Sequence, residues 1–267
     1  MTTVAAIETG KLDIGRVIQG TFGVIGRNFV TFFLLAFLLS GLPTAILSYA
    51  QAGQATALST GNFNFSAGYI SAIGFGGLAA LITASILQGS LIFATVQDLN
   101  GTRPSIGECL ATGLRAFLPL LGLSILLALA IVGGFILLVV PGVMMLCAWC
   151  VAVPALVADR TGVMGAFSRS AELTRGNRWR IFGLLLIVWV IALIIGGIIG
   201  GVAGAIAIGS TGLDPVQLMR SPVQIIGNTL INTLSAMITS AGAAVLYVEL
   251  RKTREGQGPQ WLSEIFS

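Results

Sequence analysis

The chain of 267 residues is 55% hydrophobic and only 9% charged, with a net charge of +4. A soluble domain carries about 25% charged residues, so this chain has too few polar side chains to cover a water-facing surface. The sequence contains no histidine, which removes the commonest general base and metal ligand. We therefore expect an all-α polytopic membrane protein that is not an enzyme, needs no cofactor or metal, and binds no nucleic acid.

Six apolar stretches are long enough to cross a bilayer, which takes about 20 residues per helix. They predict one transmembrane domain over residues 1–258, followed by a short tail at 259–267. Pro141-Gly142 divides the third stretch from the fourth and predicts a tight hairpin, since Pro ends a helix and Gly permits the turn. The predicted spans are 28–50, 67–96, 116–140, 142–158, 181–209 and 222–248.

The basic residues predict the orientation of the chain. Of the 14 Lys and Arg side chains, 13 lie in the terminal segments and in the second and fourth connections, and only Arg220 lies on the other side. An excess of Lys and Arg marks the cytoplasmic side of a membrane protein. We expect a protein of the bacterial inner membrane with both termini in the cytoplasm.

Similar segments precede the first, third and fifth spans, at Asp13–Phe29, Ser105–Phe117 and Gly162–Trp179. Each has an apolar residue beside or near a Gly, and then an Arg close to an aromatic residue where the span begins. The pattern predicts a threefold repeat of a short amphipathic helix and a membrane hairpin.

The outer two copies have apolar residues at helical spacing. We expect these helices to lie in the headgroup plane, with the apolar face in the membrane and the arginines on anionic lipid. The alternative is a helix packed against neighbouring helix ends. The predicted apolar faces are Ile14, Val17, Ile18, Phe22 and Ile25 in the first copy, and Val163, Met164, Phe167 and Ala171 in the third.

The fourth connection is the most basic segment, with five arginines against Asp159 and Glu172. Each basic residue beside an anionic leaflet contributes about 1 kcal/mol to membrane attraction. Lipid-headgroup contact and a role in topology and salt bridges both fit this segment. The predicted headgroup ligands are Arg169, Arg175, Arg178 and Arg180.

Three glycines of the fifth span, Gly196, Gly200 and Gly204, recur at every fourth residue. Small residues at this spacing let another helix approach closely, so they predict a helix-packing face. The partner helix can belong to the same chain or to another subunit.

Gln88, Asn228 and Asn232 are the most polar residues within the spans. They fit either a polar path for a transported molecule or hydrogen bonds between helices. Cys147 and Cys150 have the spacing of a redox or metal pair, but their apolar neighbours favour a packing role.

Two segments, Arg169–Val188 and Leu246–Gly256, resemble the six-helix membrane domain at the N-terminus of some bacterial glycerophosphodiester phosphodiesterases. The resemblance implies a cytoplasmic-membrane bundle linked to lipid or envelope physiology. We expect the catalytic barrel of those enzymes to be absent. Their mechanism rests on histidines and a metal, so no catalytic residue transfers to a chain without histidine.

These features favour a non-enzymatic structural, accessory or scaffolding subunit. Its expected partners are membrane lipids, other membrane proteins or further copies of the chain. The alternative is a transporter or lipid-handling carrier for neutral or amphiphilic molecules.

Overall fold

The computed structural model describes residues 12–48, 67–211, 217 and 221–255, and this part of the chain is helical with no strand. Six stretches are long and apolar enough to cross a membrane, which confirms the predicted all-α, six-span architecture. These stretches are Phe29–Ser48, Gly76–Leu99, Ile106–Leu137, Val139–Asp159, Arg178–Gly209 and Pro222–Glu255. The predicted tail at 259–267 lies outside the described residues.

The helices are numbered here in chain order. The first span, α2, is an α-helix over Phe29–Ala36 that passes through a π-helical turn at Phe37–Gly41. The helices are α1 (Ile14–Arg27), α2 (Phe29–Ser48), α3 (Ala67–Leu99), α4 (Ile106–Leu137), α5 (Val139–Trp149), α6 (Ala152–Asp159), α7 (Gly162–Thr174), α8 (Arg178–Thr211) and α9 (Pro222–Glu255).

Ion pairs join several helix ends at one end of the bundle, called here the charged end. Arg27, the last residue of α1, pairs with Asp98 near the end of α3 at 2.5 Å. Arg16 of α1 pairs with Glu249 near the end of α9 at 2.8 Å. The first and last described helices therefore meet at one end, as an even number of spans requires.

Helix α9 is the centre of the packing at the charged end. Its consecutive residues from Val245 to Leu250 are all buried, so the helix is covered on every side there. A helix that is buried all round lies inside a bundle. Tyr247 is the largest fully buried side chain of this region.

The turn between α4 and α5 is at Leu138, so the prediction of a turn at Pro141-Gly142 is wrong by a few residues. Leu138 is extended, with φ −168° and ψ 151°. Pro141 instead lies in the first turn of α5, where its missing N–H costs no helical hydrogen bond. Gly142 serves packing, because a Cβ there would lie 2.7 Å from the ring of Phe135 in α4.

The middle copy of the predicted repeat is not a separate helix. Residues Ser105–Phe117 run directly into the third span, and α4 is continuous from Ile106. In the outer copies an asparagine lies where the helix breaks: Asn28 between α1 and α2, and Asn177 after the left-handed Gly176 (φ +89°). The middle copy has no such residue, so nothing interrupts its helix.

The buried faces of α1 and α7 agree only in part with the predicted ones. On α1, Val17 and Ile25 are buried as predicted, together with Thr21 and Val24, while Phe22 is 44% exposed. Gly20 lies against Val245 of α9, so α1 packs on a neighbouring helix through part of its surface. Placement of α1 and α7 in the headgroup plane stays a prediction. The buried residues of α7 are Ala166, Ser170, Leu173 and Thr174, and its predicted face residue Met164 is 76% exposed.

The fourth span is broken in two between Trp149 and Ala152. The carbonyl of Ala148, at the break, accepts hydrogen bonds from Ser170 Oγ at 2.8 Å and Thr174 Oγ1 at 3.2 Å. Backbone groups freed by a break inside a membrane protein must find such partners. Helix α7 therefore supplies the hydrogen-bond donors that the broken fourth span lacks.

Gly113 of α4 sets the closest approach between α3 and α4. A Cβ at Gly113 would overlap the Ile86 carbonyl and the Ser90 hydroxyl of α3. We expect Gly113→Ala to lower the free energy of unfolding by about 1–3 kcal/mol, the usual cost of overpacking. Reversible unfolding of the purified protein in detergent micelles measures the change.

Gly133→Ala is the matched control on the same helix. The space around Gly133 is open, with no atom within 4 Å of an added Cβ. Alanine there should leave stability unchanged or raise it by up to about 1 kcal/mol through its higher helix propensity. Equal stability of the two variants would contradict the close approach at Gly113.

Candidate functional site

A group of charged side chains lies between α6, α7 and α9 and is called here the Asp159 cluster. Asp159, at the end of α6, accepts hydrogen bonds from Tyr247 Oη at 2.8 Å, Arg251 Nη1 at 2.9 Å and Arg169 Nε at 3.1 Å. Glu255 accepts from Arg251 Nε at 2.6 Å and from Arg169 Nη2. Two carboxylates and two guanidinium groups thus bind each other in one connected network.

The Asp159 cluster is largely removed from solvent. The side chains of Asp159 and Arg251 are 11% and 13% exposed, and that of Arg169 is 21% exposed. Burial by itself would lower the pKa of Arg169, but hydrogen bonds to Glu255 and Asp159 outweigh burial and raise that pKa above its ordinary value. The Arg169 guanidinium therefore stays charged over the physiological pH range.

Smaller groups tie α1 to the same end. Asp98 accepts from the Arg27 guanidinium and from Asn28 Nδ2 at 2.5 Å. The hydrogen bond with Asp98 raises the pKa of Arg27. Arg180, at the start of α8, donates to the carbonyl of Leu12 at 2.8 Å. The charged end is therefore held by polar contacts between residues far apart in the chain.

Next to the Asp159 cluster lies a cleft of about 710 Å³ between the end of α3, the first half of α4 and the turn from α6 to α7. We call it the basic cleft. Arg115, Arg160 and Glu108 line it together with Gln97 and Thr112. Its apolar lining includes Phe93, Pro119, Leu156 and Val157. Volumes of about 300–1,000 Å³ are typical of small-molecule sites.

The four arginines predicted to contact headgroups have different positions. Arg169 belongs to the Asp159 cluster. Arg175 accepts a hydrogen bond from Arg254 through its carbonyl, and Arg180 binds the Leu12 carbonyl. Arg178 Nε is buried with no hydrogen-bond partner among the described residues. Arg169 therefore forms salt bridges, which was the alternative role for this segment. Headgroup contact by these arginines stays a prediction.

The predicted glycine face lies partly against α9 of the same chain. A Cβ at Gly196 or Gly200 would lie 3.9 Å from Ile231, an ordinary contact, and one at Gly204 would meet no atom within 4 Å. A closer approach of α8 and α9 is at Gly227, where a Cβ would lie 2.8 Å from Ala203.

The residues of the predicted polar path are not joined by any hydrogen bond between helices in the described part of the chain. Asn232 is exposed, and its Nδ2 donates to the carbonyl of Asn228 one turn earlier at 2.9 Å. Gln88 Oε1 is buried with no hydrogen-bond partner among the described residues. The transport path therefore stays a prediction.

Residues 12–250 match the family described as "Domain of unknown function (DUF7847)". The chain belongs to this family. It is also similar to a UPF0259 membrane protein of Pectobacterium carotovorum subsp. carotovorum (strain PC1), with 29% identity over 117 residues. That region covers 44% of this chain and 46% of the relative, so the chain matches less than half the length of the curated relative. No solved structure matches.

The family match and the relative support a membrane protein of unknown function with several spans. Neither points to the glycerophosphodiester phosphodiesterases that the two segments of this DUF7847 chain resemble.

The Asp159 cluster and the basic cleft were not predicted from the sequence. One signal was present: Tyr247, Arg251 and Glu255 recur at every fourth residue and so share one face of α9. Asp159, the partner of Tyr247 and Arg251, is 88 residues before Tyr247, and no local pattern joins the two.

We expect Asp159→Asn to lower the free energy of unfolding of this DUF7847 chain by about 3–5 kcal/mol, because a buried network that loses one charge leaves its partners uncompensated. Chemical or thermal unfolding in detergent, followed by circular dichroism, measures the loss.

Glu172→Gln is the control, because Glu172 also pairs with Arg169 but is 70% exposed. An exposed pair contributes less than about 1 kcal/mol, so this variant should unfold almost as the wild type does. Losses of the same size in both variants would contradict the special role of the Asp159 cluster.

Proposed function

We propose that this DUF7847 protein is a non-enzymatic protein of the bacterial cytoplasmic membrane that acts as a structural, accessory or scaffolding subunit. The observation that carries the proposal is the Asp159 cluster, which joins α6, α7 and α9 through largely buried ion pairs. Separating these helices would leave charges uncompensated at a cost of several kcal/mol. A bundle held in this way is suited to presenting fixed surfaces to its surroundings.

The surfaces that such a subunit would present are on α4 and α8. In the most apolar part of these helices only 17% and 11% of the residues, respectively, are buried within the chain. The remaining apolar side chains suit contact with lipid tails or with the helices of partner proteins.

Helix α8 offers the flatter surface, because Gly197, Gly201 and Gly204 have open space where a side chain would begin. If a second subunit packs there, Gly201→Ile should block its approach and release a monomer, while the fold stays intact. Extraction into native nanodiscs, followed by mass photometry, measures the assembly. The wild type should be a homo-oligomer or a stoichiometric complex.

Gly133→Ile on α4 is the matched control, because a Cβ added there also has no described atom within 4 Å. This variant should keep the wild-type assembly. A wild type that purifies as an inert monomer would contradict the proposed function.

We also propose that the charged end faces the cytoplasm, since it carries most of the arginines. In a variant with the three native cysteines replaced by alanine, a membrane-impermeant thiol reagent added from the periplasm should label Asn62→Cys and leave Arg175→Cys unlabelled. The opposite pattern would overturn the orientation.

The basic cleft favours a second candidate function, a carrier for amphiphilic molecules, since it combines charged and apolar lining residues. A carrier would move lipid between leaflets of reconstituted vesicles, and a scaffold would not. The Asp159 cluster, which resists helix movement, favours the scaffold.

A further inference from the structure

We propose that the basic cleft binds the headgroup of a zwitterionic, amine-bearing phospholipid, with Arg115 and Arg160 on the phosphate and Glu108 on the ammonium group. This goes beyond the proposed function and holds whether or not the protein assembles with partners. Three observations carry it: the charges lining the cleft, the backbone around them, and the apolar lining.

The two arginines of the cleft take no part in the ion pairs of the charged end. Arg16, Arg27, Arg169 and Arg251 are all in ion pairs. Arg115 and Arg160 form no ion pair or side-chain hydrogen bond with any described residue. Guanidinium groups bind phosphate oxygens through paired N–H donors, so two of them in one cleft provide a phosphate site.

Glu108 is likewise the one acidic residue of the described chain that forms no ion pair. Asp13, Asp98, Asp159, Glu172, Glu249 and Glu255 all pair with basic side chains. A phosphate alone would be repelled by this carboxylate, whereas a phosphate linked to an ammonium group matches both signs of charge.

The backbone adds an acceptor beside these charges. Pro119 lies inside α4 and has no N–H to donate to the carbonyl of Arg115, four residues earlier. Both residues line the cleft. That carbonyl lacks its usual helical donor and suits an ammonium N–H.

Arg160 is held in an unusual backbone conformation at the edge of the cleft. It is the one described residue other than glycine with positive φ, at φ 50° and ψ 30°. A side chain in this region costs about 1–2 kcal/mol that glycine would avoid. Its neighbour Asp159 is fixed in the Asp159 cluster, which anchors the turn and keeps Arg160 beside the cleft.

The apolar lining of the cleft favours a lipid as the ligand over a free phosphate. Phe93, Leu156 and Val157 give the cleft a wall without charge. Leu114 and Leu118, next to Arg115 and Pro119 on α4, are 50% and 66% exposed. The headgroup site is thus next to a helix surface suited to acyl chains.

Titration of the delipidated full-length protein with defined lipids, read by native mass spectrometry, tests the proposal. The probes are phosphatidylethanolamine, phosphatidylglycerol and soluble glycerophosphoethanolamine. The wild type should bind phosphatidylethanolamine best and the soluble headgroup at least tenfold more weakly. Equal affinity for the soluble compound would overturn the lipid assignment, and no binding of any probe would overturn the site.

Single substitutions test the contacts with the phosphate and with the ammonium group separately. Arg115→Gln and Arg160→Gln should each lower the affinity for both phospholipids about tenfold or more, since a charge-assisted hydrogen bond is lost. Glu108→Gln should remove the preference for phosphatidylethanolamine over phosphatidylglycerol. An unchanged preference would overturn the ammonium contact.

Arg103→Gln is the matched control, because Arg103 is an exposed arginine of the neighbouring α3–α4 connection that does not line the cleft. It removes the same charge and should keep wild-type affinity. If it weakens binding as much as the cleft variants do, attraction to the basic surface explains the binding and the proposed site is overturned. Unfolding temperatures of all four variants should equal that of the wild type.

Discussion

The structure depends on the compensation of charge at the end of an apolar bundle. Asp159 and Glu255 are acids with little access to water, and they are stable there because Arg169 and Arg251 reach both of them. Removing water strengthens the attraction between these groups and also makes each of them costly alone. The helices that carry them, α6, α7 and α9, therefore have one favourable arrangement, and the neighbouring cleft takes its shape from it.

Within the spans, hydroxyl groups are satisfied locally. Thr95 Oγ1 donates to the carbonyl of Leu91, and Thr233 Oγ1 donates to the carbonyl of Thr229, each one turn earlier. A helix that satisfies its own polar groups can face lipid or an apolar neighbour equally well. Long-range polar contacts are thus concentrated at the charged end, and packing of small and apolar residues determines the rest.

The number of spans and their approximate positions could be predicted because hydropathy and length are properties of a single segment. The turn at Leu138 could not, since Pro141 is as compatible with the first turn of a helix as with its end. The partners of Asp159 could not be predicted either, because Arg251 is 92 residues away in the chain. Which acidic residue Arg251 pairs with depends on how the helices pack. Likewise, Arg115 and Arg160 look like ordinary topology determinants until folding places them in one cleft.

The break in the fourth span has a consequence for biosynthesis. The Ala148 carbonyl has its acceptor capacity filled by Ser170 and Thr174, which leave the ribosome more than 20 residues later. Until those hydroxyls arrive, the hydrocarbon layer is a poor environment for that section of backbone. The fourth span therefore reaches its final hydrogen-bonded structure, with no water needed at the break, only after α7 has been synthesised. The fourth span and α7 thus complete their folding together.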